Sequence, residues 1–314
     1  MNIVYIATNP YLHKKHIKRL NKVGRLIPIS TSEILEPESD KEIQRADILI
    51  CSPSAVKVLS RSILSRLKRL KHLVLLSSGY DFLDTKKLKK LRVSISHCPG
   101  ANAEATAEYA WMLILNLARR IKFGCFDSKT PQLIPTNLPG REVFGKTIAI
   151  LGTGNVGSRV ARIARAFKMK VYGYNKGGRK PKYFNKVSSL SDILPKADIV
   201  VVALPLTSET KNLIDKKEVR IMKDRVILVN VAREDIANKD AVLKGTRLGK
   251  IFGYGLDADP LRRFFPYNRH FKNFNILITP HSAYNTEEAR ERMLSQAIGN
   301  AIAFAKGQPK HLIS

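Results

Sequence analysis

Apolar residues fall in short, β-rich runs at 3–7, 26–29, 47–51, 73–77 and 93–97. Basic amphipathic stretches lie between several of them, and in residues 56–70 the apolar positions recur at helical spacing. Strands alternating with helices predict βαβ units and a parallel sheet. Residues 102–121 contain no Gly or Pro and carry Trp111, Met112, Leu113 and Leu115, which predicts one long helix. Residues 129–145, with Pro131, Pro135, Pro139, Gly140 and Gly145, read as an exposed connection.

A second alternating series follows. Its strand candidates are 147–151, 170–174, 199–204, 226–231, 253–257 and 276–279, and its clearest helices are 156–167 and 213–222. Residues 287–305 form a last helix with an apolar stripe, which packs most economically back on the first series. Each series has the length of one α/β domain, so 314 residues predict two. The expected boundaries are 1–100 plus 285–314 for one domain and 101–284 for the other.

Charge alters this picture. Fifty-five Lys+Arg against 26 Asp+Glu leave a formal +29, a field that favours anionic ligands and attracts nucleic acid non-specifically. The same excess also fits a merely Lys-rich or heat-adapted surface. The basic stretches 57–71 and 86–92 carry no interleaved aromatics, so no specific nucleic-acid partner is expected. Cys51, Cys98 and Cys125 form neither a disulfide framework nor a metal-ligand pattern, so no metal is expected. The longest apolar stretch, 109–118, is about half a bilayer span. With no signal-like start, the expectation is a cytoplasmic protein without a membrane partner.

The first chemical signal is Gly152-Thr153-Gly154-Asn155-Val156-Gly157, between a buried-strand run and an amphipathic helix. In that context Gly152 permits a tight turn and Gly154 lets backbone approach a pyrophosphate, while Gly157 lets helix and strand pack closely. The helix N-terminus offers N–H groups and partial positive charge to the phosphates. Where an NAD site places an acid for the ribose 2′-hydroxyl, this chain has Asn175, followed by Lys176, Arg179 and Lys180. A missing carboxylate and added cations favour NADP over NAD.

Five further segments occur in order: Ser77 to Asp84 around Ser78-Gly79; Pro99, Asn102 and Thr106-Ala107-Glu108; Ala203-Leu204-Pro205-Leu206-Thr207 with Thr210; Asn230-Val231-Ala232-Arg233; and Thr279-Pro280-His281. Together they resemble the D-isomer-specific 2-hydroxyacid dehydrogenases over nearly the whole chain. The resemblance implies an oxidoreductase with a Rossmann doubly wound parallel sheet and a smaller, flavodoxin-like α/β substrate domain. It implies hydride transfer between NAD(P) and a small D-2-hydroxy or 2-oxo acid, in the reductive direction if NADP is used, as with glyoxylate or hydroxypyruvate. It assigns the substrate carboxylate to Ser78, Gly79 and Arg233, and proton exchange to His281 supported by an acid. It adds Thr106, Asn155, Val156, Leu204, Pro205, Thr210, Val231, Ala232 and Asp257 to the cofactor site, and it implies a homodimer. The helix bearing Trp111 either joins such an interface or is buried within its own domain.

The chemistry asks for the same residue types. Arg offers a bidentate fork to a carboxylate, His titrates near neutrality and suits proton exchange, and a carboxylate suits the support of that His. Two departures stand out. The family pattern L-D-V-x-x-x-E-P reads Leu256-Asp257-Ala258-Asp259-Pro260 here, so Asp259 stands where Glu is expected, about 1.5 Å shorter in reach. Asp259 either orients His281 or is only a turn residue before Pro260. Glu234 follows Arg233 where Gly is usual; it engages the guanidinium, points away, or substitutes as the acid. These changes keep an alternative open, a dinucleotide-sensing binding protein that has lost catalysis.

Overall fold

The computed structural model describes residues 1–9, 12–62, 67–123, 139–175, 177, 181–258 and 274–313. The chain divides into two compact units, Met1–Asn102 with Thr286–Ser314, and Ala103–Asn285.

In the first unit, β1 (Asn2–Ala7), α1 (Lys14–Asn21), β2 (Arg25–Ser30), α2 (Pro37–Gln44), β3 (Ile48–Cys51), α3 (Pro53–Ser62), β4 (His72–Leu75), α4 (Thr85–Lys90) and β5 (Ser94–Ser96) follow in order. The strands form a parallel sheet ordered β2-β1-β3-β4-β5. Strand alternation splits the core in two. Val4, Ile6, Leu49, Leu73 and Leu75 pack on one face, whereas Ile3, Tyr5, Ile48, Ile50 and Val74 pack on the other. Between Thr286 and the C-terminus lies a helix of nineteen residues, Glu287–Ala305, capped by the Thr286 hydroxyl, which accepts from Ala289 N. It covers the second face with Met293, Ala297, Ile298 and Ala301. Residues 311–313 then run antiparallel to edge strand β5: His97 N donates to His311 O at 3.2 Å, and Ile313 N donates to Ile95 O at 2.9 Å.

The second unit contains α5 (Ala103–Arg119), β6 (Thr147–Leu151), α6 (Asn155–Ala166), β7 (Lys170–Tyr174), β8 (Lys186–Val187), α7 (Leu190–Ile193), β9 (Ile199–Val202), α8 (Lys216–Ile221), β10 (Val226–Asn230), α9 (Lys239–Arg247), β11 (Ile251–Asp257) and β12 (Ile276–Thr279). With α10 (Glu287–Ala305), these complete the strands and α-helices among the described residues. Its parallel sheet is ordered β12-β11-β10-β9-β6-β7-β8. The order reverses direction between β6 and β9, and in a doubly wound sheet such a switch opens a crevice at the carboxyl ends of the strands. Helices α5 and α6 bury Leu113, Leu117, Val160 and Ala164 on one face; α8 and α9 bury Val219, Val242 and Leu243 on the other. Trp111 is internal to this unit, donating from Nε1 to Val160 O at 3.2 Å and stacking on Phe167. Among the described residues no helix is long and apolar enough to cross a membrane.

Three predicted helices change extent. Among the described residues, the periodicity at 56–70 covers α3 and then a turn in which Leu70 N reaches Leu67 O, with both leucines buried; residues 63–66 lie outside the described residues. The helix expected over 213–222 starts later because Ile214 bridges to Ala237 and Asp215 forms a capping box with Glu218. The helix expected over 102–121 stops at Arg119, since Arg120 takes φ 54°, and a short 3-10 turn follows at Ile121–Phe123. Of the expected connection 129–145, residues 129–138 lie outside the described residues.

Candidate active site

Sequence forces the turn after β6. Gly152 has φ +107°, and a Cβ there would stand 2.5 Å from the Ala203 carbonyl oxygen. A Cβ on Gly157 would collide with the Gly152 carbonyl, so α6 packs against the turn only because that position is bare. Gly154 is different: its Cβ would meet nothing within 4 Å. As N-cap of α6, Gly154 provides no side-chain cap, leaving the first-turn N–H groups of Asn155, Val156 and Gly157 for an outside acceptor. A depression of about 370 Å³ opens here, lined by Thr153, Gly154, Asn155, Ser158, Arg159 and Pro181. Arg159 donates to Glu104 at 2.8 Å and to Asn155 O at 2.9 Å.

Asn175 follows β7 directly and donates through Nδ2 to Thr153 Oγ1, which ties it to the glycine turn. Lys176, Arg179 and Lys180 lie outside the described residues. Thr106, on α5, is buried and its Oγ1 has no hydrogen-bond partner among the described residues. Leu204 and Pro205 follow β9, and the Thr210 hydroxyl closes that loop by donating to Pro205 O at 2.7 Å. An uncapped helix start, an open glycine and an orphaned buried hydroxyl fit a dinucleotide pyrophosphate.

Beyond β10, Val231 and Ala232 are buried and lead into Arg233. Asn230 shapes this turn from below: its Oδ1 accepts from Ala232 N at 3.0 Å, and its Nδ2 donates to Arg233 O at 2.8 Å. Arg233 is half-buried, with Nη1 donating to Ala232 O at 2.9 Å. Glu234 runs inward and is 8% exposed. Burial, and secondly the charge of Glu234, push the Tyr254 phenol pKa up.

His281 follows β12 in a left-handed conformation, φ 51°, its N donating to Thr279 O at 3.0 Å. The turn carrying it is wound on Asp257, the last residue of β11 and 2% exposed. Asp257 Oδ1 accepts from Thr279 Oγ1 at 2.7 Å and Ser282 N at 2.9 Å, and Oδ2 accepts from Ala283 N at 2.9 Å. Tyr109 braces the same turn, its hydroxyl 2.9 Å from Ser282 Oγ. Because β12, β11 and β10 are neighbours, His281, Asp257 and Arg233 belong to the carboxyl ends of three adjacent parallel strands. Asp259, the expected supporting acid, lies outside the described residues.

In the first unit, Ser78 and Gly79 follow β4. Ser78 Oγ donates to Cys98 O at 2.6 Å and lies 2.9 Å from Asn102 Oδ1, while the Ser77 hydroxyl donates to Gly79 O at 2.7 Å. His97 Nδ1 is 2.9 Å from the Ser78 carbonyl. Cys51 and Cys98 are buried free thiols; burial pushes both pKa values up, that of Cys98 to about 12. Cys125 lies outside the described residues.

Sequence reasoning named Asn230 only as part of the Arg233 segment, and it missed the turn-holding bonds of Asn230 and Asp257 as well as Arg159 beside the glycine turn. Arg159 left a signal as a cation near the start of the dinucleotide helix.

Comparison with known proteins agrees with this geometry. Residues 111–283 match the family model described as D-isomer specific 2-hydroxyacid dehydrogenase, NAD binding domain. A glyoxylate reductase of Aeropyrum pernix is 36% identical over 267 residues, covering 80% of this chain and 78% of the relative. A hydroxypyruvate reductase of Thermotoga maritima is 32% identical over 271 residues, covering 84% and 86%. Among solved structures, an acyclic imino acid reductase in complex with NADPH and D-Arg superposes with TM-score 0.85 at 26% identity, over 100% of both chains. The chain therefore belongs to the D-isomer specific 2-hydroxyacid dehydrogenase family, a family of NAD(P)-dependent oxidoreductases.

Proposed function

We propose that the protein reduces small 2-oxo acids of the glyoxylate and hydroxypyruvate class, preferring NADPH as the hydride donor. The observation that carries this reading is the succession of Arg233, Asp257 and His281 at the ends of β10, β11 and β12. Arg233 binds the substrate carboxylate through its planar fork. His281 delivers a proton to the oxygen that becomes the hydroxyl. Asp257 holds the His281 turn, and Asn230 fixes the Arg233 turn, so both side chains are presented by rigid backbone.

The bound nicotinamide supplies the hydride. Gly152, Gly154, Asn155, Val156 and Gly157 hold its pyrophosphate, with Thr106, Leu204, Pro205, Thr210, Val231 and Ala232 along the rest of the dinucleotide. Asp257 was assigned to this site from the sequence; its three bonds to the His281 turn favour a positioning role. Ser78 and Gly79 are offered as substrate-binding backbone of the first unit, and Asp259 as the acid supporting His281. The neutral Asn175 supports NADP, because a carboxylate there would repel a 2′-phosphate. The names of the glyoxylate and hydroxypyruvate reductases support the substrate class. A homodimeric, cytoplasmic enzyme is the matching expectation.

The test is initial-rate turnover of NADPH and NADH against two- to six-carbon 2-oxo acids, followed by the near-ultraviolet absorbance of the reduced nicotinamide. Turnover with NADPH exceeding that with NADH supports the proposal, and preference for NADH removes the Asn175 argument. Dinucleotide binding with no turnover of any acid favours the sensor reading instead.

A further inference from the structure

At the amino ends of the seven-stranded sheet, three guanidiniums gather on one aromatic ring. Phe252, the second residue of β11, is buried. The Cζ atoms of Arg120, Arg225 and Arg141 lie 4.6, 5.0 and 5.2 Å from its ring centroid. They come from separate places in the chain: the residue after α5, the residue before β10, and the segment before β6. Sharing one ring keeps each pair of cations within about 10 Å, roughly one screening length at ordinary ionic strength, so they repel one another. Two of them also hold left-handed backbone, with φ 54° at Arg120 and 61° at Arg225.

Their charge is poorly balanced by the described fold. Arg141 is engaged, since its Nη1 donates to the Arg225 carbonyl and its Nη2 stands 4.0 Å from Asp198 Oδ1. That carboxylate is shared: Lys223 Nζ lies 2.7 Å from the same oxygen, and Oδ2 accepts from Thr147 N at 3.0 Å. Arg120 Nε is buried with no hydrogen-bond partner among the described residues. Burial, and then the Arg225 charge, lower the Arg120 pKa. A guanidinium stacked on a ring spends its face on the π-system and keeps its in-plane N–H groups for oxygen acceptors. Two such forks suit a phosphate, whose three oxygens and nearly double charge satisfy both.

We propose that Arg120 and Arg225, gathered around Phe252, form a phosphate-binding site distinct from the dinucleotide turn. Gly152 lies past the carboxyl end of the five-residue strand β6, about 16 Å along the strand direction from the amino-end cluster, so one phosphate cannot serve both. Its ligand is a phosphate group, either free inorganic phosphate or a phosphate monoester.

The experiment titrates the full chain with inorganic phosphate and with glycerol phosphate at constant ionic strength, in saturating NADPH so that the glycine turn is filled. Binding is read by calorimetry and by the rise in Tm. Arg120→Gln and Arg225→Gln are each expected to weaken phosphate binding by about tenfold or more, while Arg159→Gln, beside the glycine turn, leaves it unchanged. Exposed Arg225 supplies the decisive variant if Arg120→Gln fails to fold. Tighter binding of the monoester identifies the source as a phosphorylated metabolite; tighter binding of inorganic phosphate identifies the free ion. Equal stabilisation by chloride, undiminished binding in Arg225→Gln, or loss confined to Arg159→Gln overturns the proposal.

Discussion

Replacing Asp257 by Asn keeps the side chain's size and removes its charge. Because Oδ1 already serves Thr279 Oγ1 and Ser282 N, the amide oxygen is held there. The amide nitrogen must then face Ala283 N, donor against donor, where Oδ2 had accepted at 2.9 Å. One hydrogen bond to a charged group is lost outright, at about 1.5–3 kcal/mol, and two others become neutral and weaker. A total of about 3 kcal/mol in a unit of this size lowers Tm by about 6–12 °C. The functional effect is separate. If released, the Thr279–Ala283 turn no longer fixes His281, and a misplacement of about 1 Å costs about a hundredfold in rate. We expect kcat with glyoxylate and NADPH to fall by about that factor while the KM for NADPH changes little. Steady-state kinetics with thermal unfolding decides the matter. A variant with wild-type kcat and Tm refutes the positioning argument, and one with intact kcat but a strongly raised KM for NADPH returns Asp257 to the cofactor site.

The glycine turn separates folding from binding. Gly157→Ala should collide with the Gly152 carbonyl and impair both, whereas Gly154→Ala, whose Cβ meets nothing, should melt like the wild type and lose about tenfold or more in dinucleotide affinity by fluorescence titration. Wild-type affinity in Gly154→Ala would remove the pyrophosphate from that position. His72, fully buried between Ser94 and Ser96, has its pKa lowered to about 4 by burial. The unfolded chain takes up its proton near pH 6.5 and the folded one only near 4, so stability is full above this window and falls as pH drops through it, by about 3 kcal/mol. Denaturant titrations of the first unit's unfolding should show that loss, and His72→Asn should flatten it; an equal pH slope in both proteins contradicts the assignment. Asn175→Asp should move the NADPH:NADH ratio of kcat/KM toward NADH by about tenfold, and an unchanged ratio would shift cofactor choice to residues after β7.

The parts of the fold that read clearly from sequence were those whose pattern is set by burial alone. Ile3, Tyr5 and Ala7 against Val4 and Ile6 announce a strand buried on both faces, and Ile199–Val202 does so in four residues. The glycine turn was legible because its bare positions are demanded by local backbone, and Gly152 and Gly157 meet that demand within six residues. Less legible were α1 and α4, whose lysines and arginines leave few apolar positions for a period to show; α1 buries only His16 and Leu20. Helix α8 was overextended because Leu213 and Ile214 continue its apolar spacing while Ile214 pairs with Ala237. Site roles set by distant contacts were invisible. Nothing near Asp257 in sequence says that its carboxylate meets residues 279–283, and nothing near Glu234 says that its charge reaches Tyr254.

The first unit is interrupted in the chain, and this orders events during synthesis. Its five strands are complete by Ser96, yet Met293, Ala297, Ile298 and Ala301, which cover one face of that sheet, are made only after all of residues 103–285. At typical elongation rates of about 5–20 residues per second, the apolar face and the open edge of β5 wait roughly 10–40 s for their cover. The inserted unit is contiguous and has both faces of its own sheet to close meanwhile. On a translating ribosome, the first-made strands are thus the last to reach their final state, and they are the segment that a nascent-chain chaperone has most reason to shield.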